Sequence, residues 1–396
     1  MPARIRFVVT PVEPTPDLVA RRFVREGAGG EGECARGERE VAGGADGQAV
    51  RACAAVNAAF SGEVRGARVS VECEGAPSTT EAAPAEASET VRDVNGSGAN
   101  AALLKLLGFP AVVASRAKQP EASRAEADGL VVARAKGGAA AVVESLRGLA
   151  CVGAKARALA VDVMWPNPSN EAILKRVQGA LCAAAEATRA LDVRLEDVSI
   201  SAAADGVGEA VAVGEAPEGV TLLGSFARGA GERLVFLGET PKEIGGSRFL
   251  EAVHGLPMET GGAVDWSAEK RLHEVLRTLI AAGVITAARG VGEGGLMTAV
   301  CGMLLGGERT WGARLDLTPL GGTRADALLF GEGGARAIVE VGADRVGTVI
   351  SEAHMHGVPA ALIGEVTAED LLDLKTRSLA TAWKVAELAK VWGIGG

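Results

Sequence analysis

The sequence predicts an α+β protein with more than one domain. The chain has 396 residues, of which 48% are hydrophobic, so it is long and apolar enough to bury a large core. Short apolar runs of strand length alternate with longer segments whose apolar residues recur at helical spacing. This alternation favours layers of helices and sheet over an all-helical bundle.

The composition argues against nucleic acid and membrane as partners. The net charge is -9, so no excess of Lys and Arg is available to neutralise the phosphates of a nucleic acid. The chain lacks an uninterrupted apolar run of about 18 residues, the length that a membrane span needs. Its six cysteines are scattered without a C-x-x-C pair, which is typical of reduced thiols. We therefore expect a cytoplasmic protein that binds neither nucleic acid nor membrane.

The first 73 residues are predicted to form a small α+β module. Its strands and helices are expected at residues 4–11, 16–26, 48–60 and 67–73. Residues 74–93 are rich in Pro, Ala, Ser and Glu and have no periodicity, so they are interpreted as a flexible linker.

Two further domains are predicted after the linker. The first covers residues 94–220 and the second residues 221–375, each with its own alternation of strands and helices. The final stretch, DLLDLKTRSLATAWKVAELAKVW, has an amphipathic pattern and predicts a helix that packs back on the fold, with residues 376–396 as a C-terminal helical segment.

A glycine-rich turn interrupts RLVFLGETPKEIGGSRFL at residues 233–250. Gly245, Gly246 and Ser247 lie between a predicted strand and a predicted helix. In one interpretation Ser247 is an ordinary N-cap and the glycines form a turn. In the other, the backbone N–H groups of the helix start receive an anion such as phosphate. GEGGL at 292–296 is a second helix start of this kind, and neither turn is a P-loop or a dinucleotide fingerprint.

Four acidic residues lie in turns between the predicted elements: Asp162, Glu239, Glu293 and Glu332. Magnesium bound with a nucleotide takes carboxylate ligands in ones and twos. For any one of these residues alone, a solvated loop acid is the ordinary interpretation. Neighbouring glycines favour the functional one, because glycine lets the backbone approach a ligand closely.

Several longer segments resemble a known family. LVFLGETPKEIGGSRFLEAVHG, EKRLHEVLRTLIAAGVITAARGVGEGGLMTAVCGML, LLFGEGGARAIVEV and GVPAALIGEV are similar, in this order, to the C-terminal half of phosphoribosylformylglycinamidine synthase, of the aminoimidazole ribonucleotide synthetase superfamily. LLKLLGFPAVVAS and the segment from ESLRGLACVGAKA to ATRALDV resemble the preceding domain of that half. The resemblance covers about residues 100–375. ACAAVNAAFSGEVRGARVSVE is similar to the small subunit that bridges synthetase and glutaminase.

The resemblance implies a fold and an activity. Residues 94–220 would be an A domain, which contributes half of a barrel, and residues 221–375 an α/β-layered B domain. The family uses ATP to activate an amide oxygen, and ammonia from a glutaminase then displaces phosphate to give an amidine. A single A domain implies a homodimer formed through it, or pairing with a glutaminase or synthetase partner.

The departures from the family pattern fall at the ligand-binding segments. The histidine and aspartate that precede the family's Glu-Gly-Gly are Arg289 and Gly290 here, whereas Glu293 remains. The family's Asp-Cys-Asn strand is replaced by VARAKGG, which loses a carboxylate. The segment from Asp162 to Pro168 is one residue short, and the catalytic histidine motif of the family's first half has no counterpart. Fewer carboxylates and one more arginine are expected to weaken binding of a magnesium nucleotide.

Three hypotheses about function follow. If the family activity is retained, the cofactors are Mg²⁺ and ATP, with Asp162, Glu293 and Glu332 as metal ligands. Phosphate would then bind at Gly245, Gly246, Ser247, Gly294 and Gly295. If the activity is lost, the protein is a pseudoenzyme, a scaffold or regulatory subunit without cofactor. The third hypothesis is a different small phosphorylated or carbonyl substrate held by Arg289 as an anion clamp.

Overall fold

A computed structural model provides the fold. It describes residues 4–11, 39–42, 67–74, 93–110, 112–113, 123–124, 130–164, 171–201, 208–256, 264–321 and 324–393. The helices predicted at 16–26 and 48–60, and nearly all of the predicted linker, lie outside these residues.

Fifteen strands and nine helices are used below. The strands are β1 Arg4–Pro11, β2 Arg39–Ala42, β3 Ala67–Glu74, β4 Ser123–Arg124, β5 Leu130–Lys136, β6 Lys155–Met164, β7 Arg194–Ser201, β8 Glu209–Glu215, β9 Arg233–Leu237, β10 Ile285–Gly290, β11 Gly312–Asp316, β12 Ala337–Val341, β13 Ala360–Thr367, β14 Leu372–Lys375 and β15 Ala380–Trp383. The helices are α1 Gly96–Leu107, α2 Ala139–Val152, α3 Glu171–Leu191, α4 Arg248–His254, α5 Trp266–Ala281, α6 Gly295–Leu305, α7 Ala325–Phe330, α8 Val346–Met355 and α9 Val385–Trp392.

The first sheet has eight strands in the order β2-β1-β3-β7-β6-β8-β5-β4. Strands β1, β2 and β3 pair antiparallel, and β3 joins β7 where Val69 faces Leu195. The predicted strands at 4–11 and 67–73 are therefore present, and they extend the sheet that holds β5 to β8. The described strands of this sheet do not close into a barrel.

The second sheet has seven strands in the order β10-β12-β9-β13-β11-β14-β15. Neighbouring strands are antiparallel except β11 and β14, which are parallel. Together the two sheets and their helices confirm the predicted α+β class.

Helices cover both faces of the second sheet. On one face α1, α4, α6 and α7 bury a core of mainly Leu, Ala, Val and Phe, and every residue of α6 is buried. On the other face α5 and α8 pack with the end of α2. Burial on both sides explains why β12 reads as the continuous apolar run AIVEV interrupted by one acid.

Two compact units can be distinguished from the contacts within the chain. One comprises Met1–Thr80, Arg134–Ser145 and Ala156–Val213, and the other Glu81–Ala133, Leu146–Lys155 and Gly214–Gly396. The division differs from the predicted boundaries because α1 packs against α4 and β15, which belong to the second sheet. The predicted domain limits thus remain predictions, and the physical units interleave along the chain.

The helix predicted for the C-terminal stretch is wrong in its first half. Residues 372–375 and 380–383 form the antiparallel pair β14 and β15, and only Val385–Trp392 is helical. The reason is visible in β14, where buried Leu372 and Leu374 alternate with exposed Asp373 and Lys375. Burial that alternates with every residue is the pattern of a strand, and this local pattern determines the structure here in place of the predicted helix.

None of the helices in the described part of the chain combines the length and the apolar character that a membrane crossing requires.

Candidate functional site

Three turns meet at one edge of the second sheet. Ala337, the first residue of β12, pairs with Leu237 of β9 on one side and with Gly290 of β10 on the other. Because β12 is antiparallel to both neighbours, its beginning lies beside the ends of β9 and β10. The β9–α4 turn, the β10–α6 turn and the α7–β12 loop are therefore neighbours, although they lie far apart in sequence.

The β9–α4 turn ends in the predicted glycine and serine residues. Gly246 has a φ of 68°, and Ser247 is the N-cap residue of α4 in an extended conformation. The Ser247 side chain is fully buried, and its hydroxyl donates to the carbonyl oxygen of Ile244 at 2.6 Å. Ser247 holds the predicted N-cap position, but its hydroxyl does not cap the helix, and anion binding at this helix start remains a prediction.

The β10–α6 turn requires its glycines for conformation and packing. Gly294 and Gly295 have φ values of 78° and 73°, which residues with a side chain rarely adopt. A Cβ atom on Gly295 would lie 2.6 Å from the backbone of Phe330, where no carbon fits. The glycine pair at this helix start thus has a sufficient explanation in the close approach of α6 to the end of α7.

Glu332 accepts hydrogen bonds from two helix starts. Its Oε1 atom receives the backbone N–H of Arg248, at the beginning of α4, at 2.7 Å. The same atom receives the backbone N–H of Gly294, at the beginning of α6, at 2.8 Å. A carboxyl oxygen of the chain itself thus occupies the position where the sequence predicted an external anion.

The Arg248 side chain contacts two more acids. Its Nε atom lies 2.5 Å from Oε1 of Glu293, and its Nη1 atom lies 2.6 Å from Oε2 of Glu251. Burial by itself would lower the pKa of Arg248, but Glu293 and Glu251 outweigh this effect and raise it. Arg248 is therefore held as a cation among three acidic side chains.

The Glu332 carboxyl is shifted toward its protonated form. Burial, and then repulsion by Glu293, raise its pKa to about 8, although the N–H groups of Gly294 and Arg248 favour the ionised form. The carboxyl group is enclosed even though part of the Glu332 side chain reaches solvent. Near neutral pH, Glu332 is thus mainly a neutral acid whose carbonyl oxygen accepts the two N–H groups.

This arrangement does not fit a resident magnesium ion. Glu293 is engaged by the guanidinium of Arg248, and Glu332 is engaged by two N–H groups and retains its proton. Magnesium needs ionised oxygen ligands in a near-octahedral shell. As the side chains stand, the cation beside Glu293 is Arg248.

The other predicted site residues lie elsewhere. Arg289 on β10 is 2% exposed, and its guanidinium packs so closely on α6 that a Cβ atom on Gly302 would lie 2.1 Å from it. Asp162 lies on β6 of the first sheet, in register with Ser199 of β7, and belongs to the other compact unit. Within the described ranges, no group of three or more His, Cys, Asp or Glu side chains could hold a metal ion. The predicted three-carboxylate site therefore remains a prediction.

Two buried arginines that the sequence analysis did not identify support the turns. Arg147 of α2 donates to the carbonyl oxygens of Val291 at 2.7 Å and Gly334 at 2.9 Å. Arg336 is fully buried and donates to the carbonyl oxygens of Gly331 and Gly333, each at 2.8 Å. The only sequence signal for them is an arginine inside an apolar stretch, which does not reveal its partner.

The chain is similar to known proteins in sequence and in fold. Residues 229–376 match the family described as AIR synthase related protein, C-terminal domain. Phosphoribosylformylglycinamidine synthase subunit PurL of Rhodopseudomonas palustris (strain HaA2) is 32% identical over 254 residues, which are 61% of this chain and 34% of that protein. The same subunit of Beijerinckia indica is 33% identical over 278 residues, covering 68% of this chain and 36% of that protein. The chain thus spans about a third of the length of the curated relatives that it matches.

Solved structures agree on the fold. T. maritima PurL complexed with FGAR superposes with a TM-score of 0.58 at 16% identity, over 73% of this chain and 53% of that chain. PurLQS from Thermotoga maritima gives a TM-score of 0.57 at 18% identity, over 75% of this chain and 52% of that chain. The fold and the family match define a protein of the AIR synthase superfamily. Within that superfamily, the chain is a divergent PurL-like protein.

Proposed function

We propose that this chain is a PurL-like subunit in purine biosynthesis that supports an assembly and does not itself carry out ATP-dependent amidine formation. The observation that carries the proposal is that the chain's own groups occupy the glycine-rich turns. Arg248 supplies the cation beside Glu293, and Glu332 supplies the oxygen at the two helix starts. A site filled in this way keeps the shape of the family's turns without access for a magnesium nucleotide.

A subunit of this kind would act through its contacts with other chains. PurL of Thermotoga maritima is found in a complex described as PurLQS. By analogy, we propose that this chain forms a homodimer through its predicted A domain, or pairs with a glutaminase or synthetase partner. The charge of -9 and the scarcity of aromatics make such a partner a protein and not a nucleic acid.

The second candidate function is the amidine-forming activity of the family. It is favoured by Glu293, Gly294 and Gly295, which stand at the helix start as the resemblance implies. In this case ATP supplies activation of the substrate's amide oxygen, and the Gly245–Ser247 turn binds phosphate. Glu293 and Glu332 would hold magnesium with Asp162. This function requires Arg248 to leave Glu293 and Glu332 to lose its proton.

Titration calorimetry with Mg-ATP and with Mg-ADP distinguishes the two candidates. We expect no detectable heat of binding, because the cation and anion positions are already filled. Micromolar binding that is abolished in Glu293→Ala and retained in Glu308→Ala would contradict the proposal and support the second candidate. Glu308 is a suitable control because it is an exposed acid in the loop after α6.

A further inference from the structure

We infer that Arg248 is a built-in cation that stands in for a divalent metal ion between the turns at the sheet edge, and that it makes this joint independent of metal. The joint comprises three segments, the start of α4, the start of α6 and residues 331–336. The inference goes beyond the proposed function, since it concerns what holds these segments together.

The carboxyl groups converge on Arg248 from all three segments. Glu251 comes from α4 itself, Glu293 from the β10–α6 turn and Glu332 from the α7–β12 loop. Glu332 contacts the backbone N–H of Arg248, whereas the other two contact its guanidinium. Without a cation, the charges of Glu251 and Glu293 would repel one another across the joint, and Glu332 would add to this repulsion when ionised.

Backbone contacts fix the position of Arg248 at the start of α4. It is the first residue of α4, directly after buried Ser247 and the left-handed Gly246. Its own N–H is fixed by Glu332 at 2.7 Å. The Cα–Cβ direction is therefore determined before the guanidinium makes its contacts.

The surroundings make the ion pair stronger than a surface pair. The side chains of Arg248 and Glu293 are 20% and 14% exposed, so solvent screens their attraction less than at an open surface. A guanidinium donates along fixed directions. Here Nε donates to Glu293 and Nη1 donates to Glu251. A metal ion would neutralise the same acids through ionised oxygens, but it would have to displace both contacts.

An ion pair of Arg248 takes the place of a metal ion as the cross-link between the three segments. A metal-held joint opens when the metal is removed, and its strength follows the metal concentration. A joint held by Arg248 is always closed, because the guanidinium keeps its proton throughout the physiological pH range.

The experiment measures thermal unfolding of the full chain with Mn²⁺ or with EDTA at one fixed pH. We expect the Tm of the wild-type protein to be the same in both. Arg248→Met should lower the Tm by several degrees in EDTA, and Mn²⁺ should restore part of the loss. Mn²⁺ should not restore it in the double variant Arg248→Met with Glu293→Gln. Arg271→Met is the matched control, since Arg271 is on α5 and bonds only the Ser267 hydroxyl in its described contacts.

Electron paramagnetic resonance of Mn²⁺ provides a reading that does not depend on folding stability. Free Mn²⁺ should persist beside the wild-type protein and decrease beside Arg248→Met. Mn²⁺ binding by the wild-type protein that Glu293→Gln abolishes would overturn the inference. An Arg248→Met variant with wild-type Tm and no Mn²⁺ binding would also overturn it.

The inference and the proposed function fail separately. ATP binding that tolerates Glu293→Ala would refute only the function, whereas metal binding without ATP would refute only the built-in cation.

Discussion

Arg147 and Glu269 form a deeply buried ion pair. Their side chains are 4% and 3% exposed, and the guanidinium contacts both carboxylate oxygens, with Nε at 3.1 Å from Oε2. Burial alone would raise the pKa of Glu269, but Arg147 and then His273 outweigh it and lower the pKa to about 2. Because Arg147 also binds the carbonyl oxygens of Val291 and Gly334, the pair connects α2 and α5 to the turns of the candidate site.

Replacing the guanidinium of this pair should be costly. Arg147→Met leaves the Glu269 charge buried without its partner, so we expect the free energy of unfolding at pH 7 to fall by about 3–5 kcal/mol. The measurement is urea unfolding followed by circular dichroism. Arg314→Met, which removes an exposed pair with Glu369, should cost less than about 1 kcal/mol and is the control.

The same variant has an expected pH dependence. A carboxyl with a folded-state pKa below its unfolded value contributes stability above the unfolded pKa and loses it as the pH falls toward 2. Without Arg147, burial raises the pKa of Glu269, so the variant recovers stability when the acid protonates. The deficit of Arg147→Met should therefore shrink as the pH is lowered from 7 toward about 4. A deficit that stays constant over this range would contradict the assignment.

The sequence shows which residues lie in the turns but not which partners they choose. The placement of Glu293, Glu332 and Ser247 at the ends of predicted elements follows from local patterns, and the structure has them at one sheet edge. Arg147 and Glu269 are 122 residues apart, and no local pattern specifies such a pair. Arg248 likewise reads from sequence as an ordinary first-turn residue of a helix. Long-range electrostatic partners depend on the fold as a whole.

The packing of helix α6 requires glycine at the start of the helix. It is buried along its entire length, so it has little freedom to shift away from α7. The Thr298 hydroxyl donates to the carbonyl oxygen of Gly294 at 2.9 Å, which closes the first turn of the helix. The glycines of GEGGL are thus constrained from both sides, by backbone conformation and by the neighbouring element.

Gly295→Ala should therefore destabilise the protein without affecting any ligand. The new Cβ atom meets the Phe330 backbone and the φ of 73° is strained, so we expect a loss on the order of 3 kcal/mol. Gly347→Ala on α8 is the control, because nothing lies within 4 Å of its added Cβ atom. That change should be neutral or should stabilise by up to about 1 kcal/mol. Equal Tm values for the two variants would show that packing does not require Gly295.

Element prediction succeeded where one pattern dominated. The alternation of strands and helices predicted for residues 221–375 is present in β9, α5, β10, α6, β12 and α8, because a single apolar pattern runs through each of these segments. The short helix α7, with the sequence ADALLF, is too short for a helical period to be recognised. Strands β7 and β8 were also missed, since their apolar residues do not stand out from the flanking helix and loop.

At the scale of the whole molecule, the open first sheet bears on assembly. Among the described strands, its order ends on β2 and β4, and these strands do not close the sheet. The resemblance implies that an A domain of this type pairs with a counterpart. We therefore expect a homodimer, and sedimentation equilibrium should give a mass about twice 40.1 kDa. A folded species with the mass of one chain at micromolar concentration would contradict this expectation.

The packing of α1 on the second sheet has a consequence for the order of events during synthesis. The Asn100 side chain donates to the carbonyl oxygen of Ala382, 282 residues later. Leu103, Leu106 and Leu107 are buried in a core that includes residues of β14, β15 and α9. A chain emerging from the ribosome presents this apolar face long before its partners exist. Completion of this core must therefore wait until β15 and α9 have been synthesised.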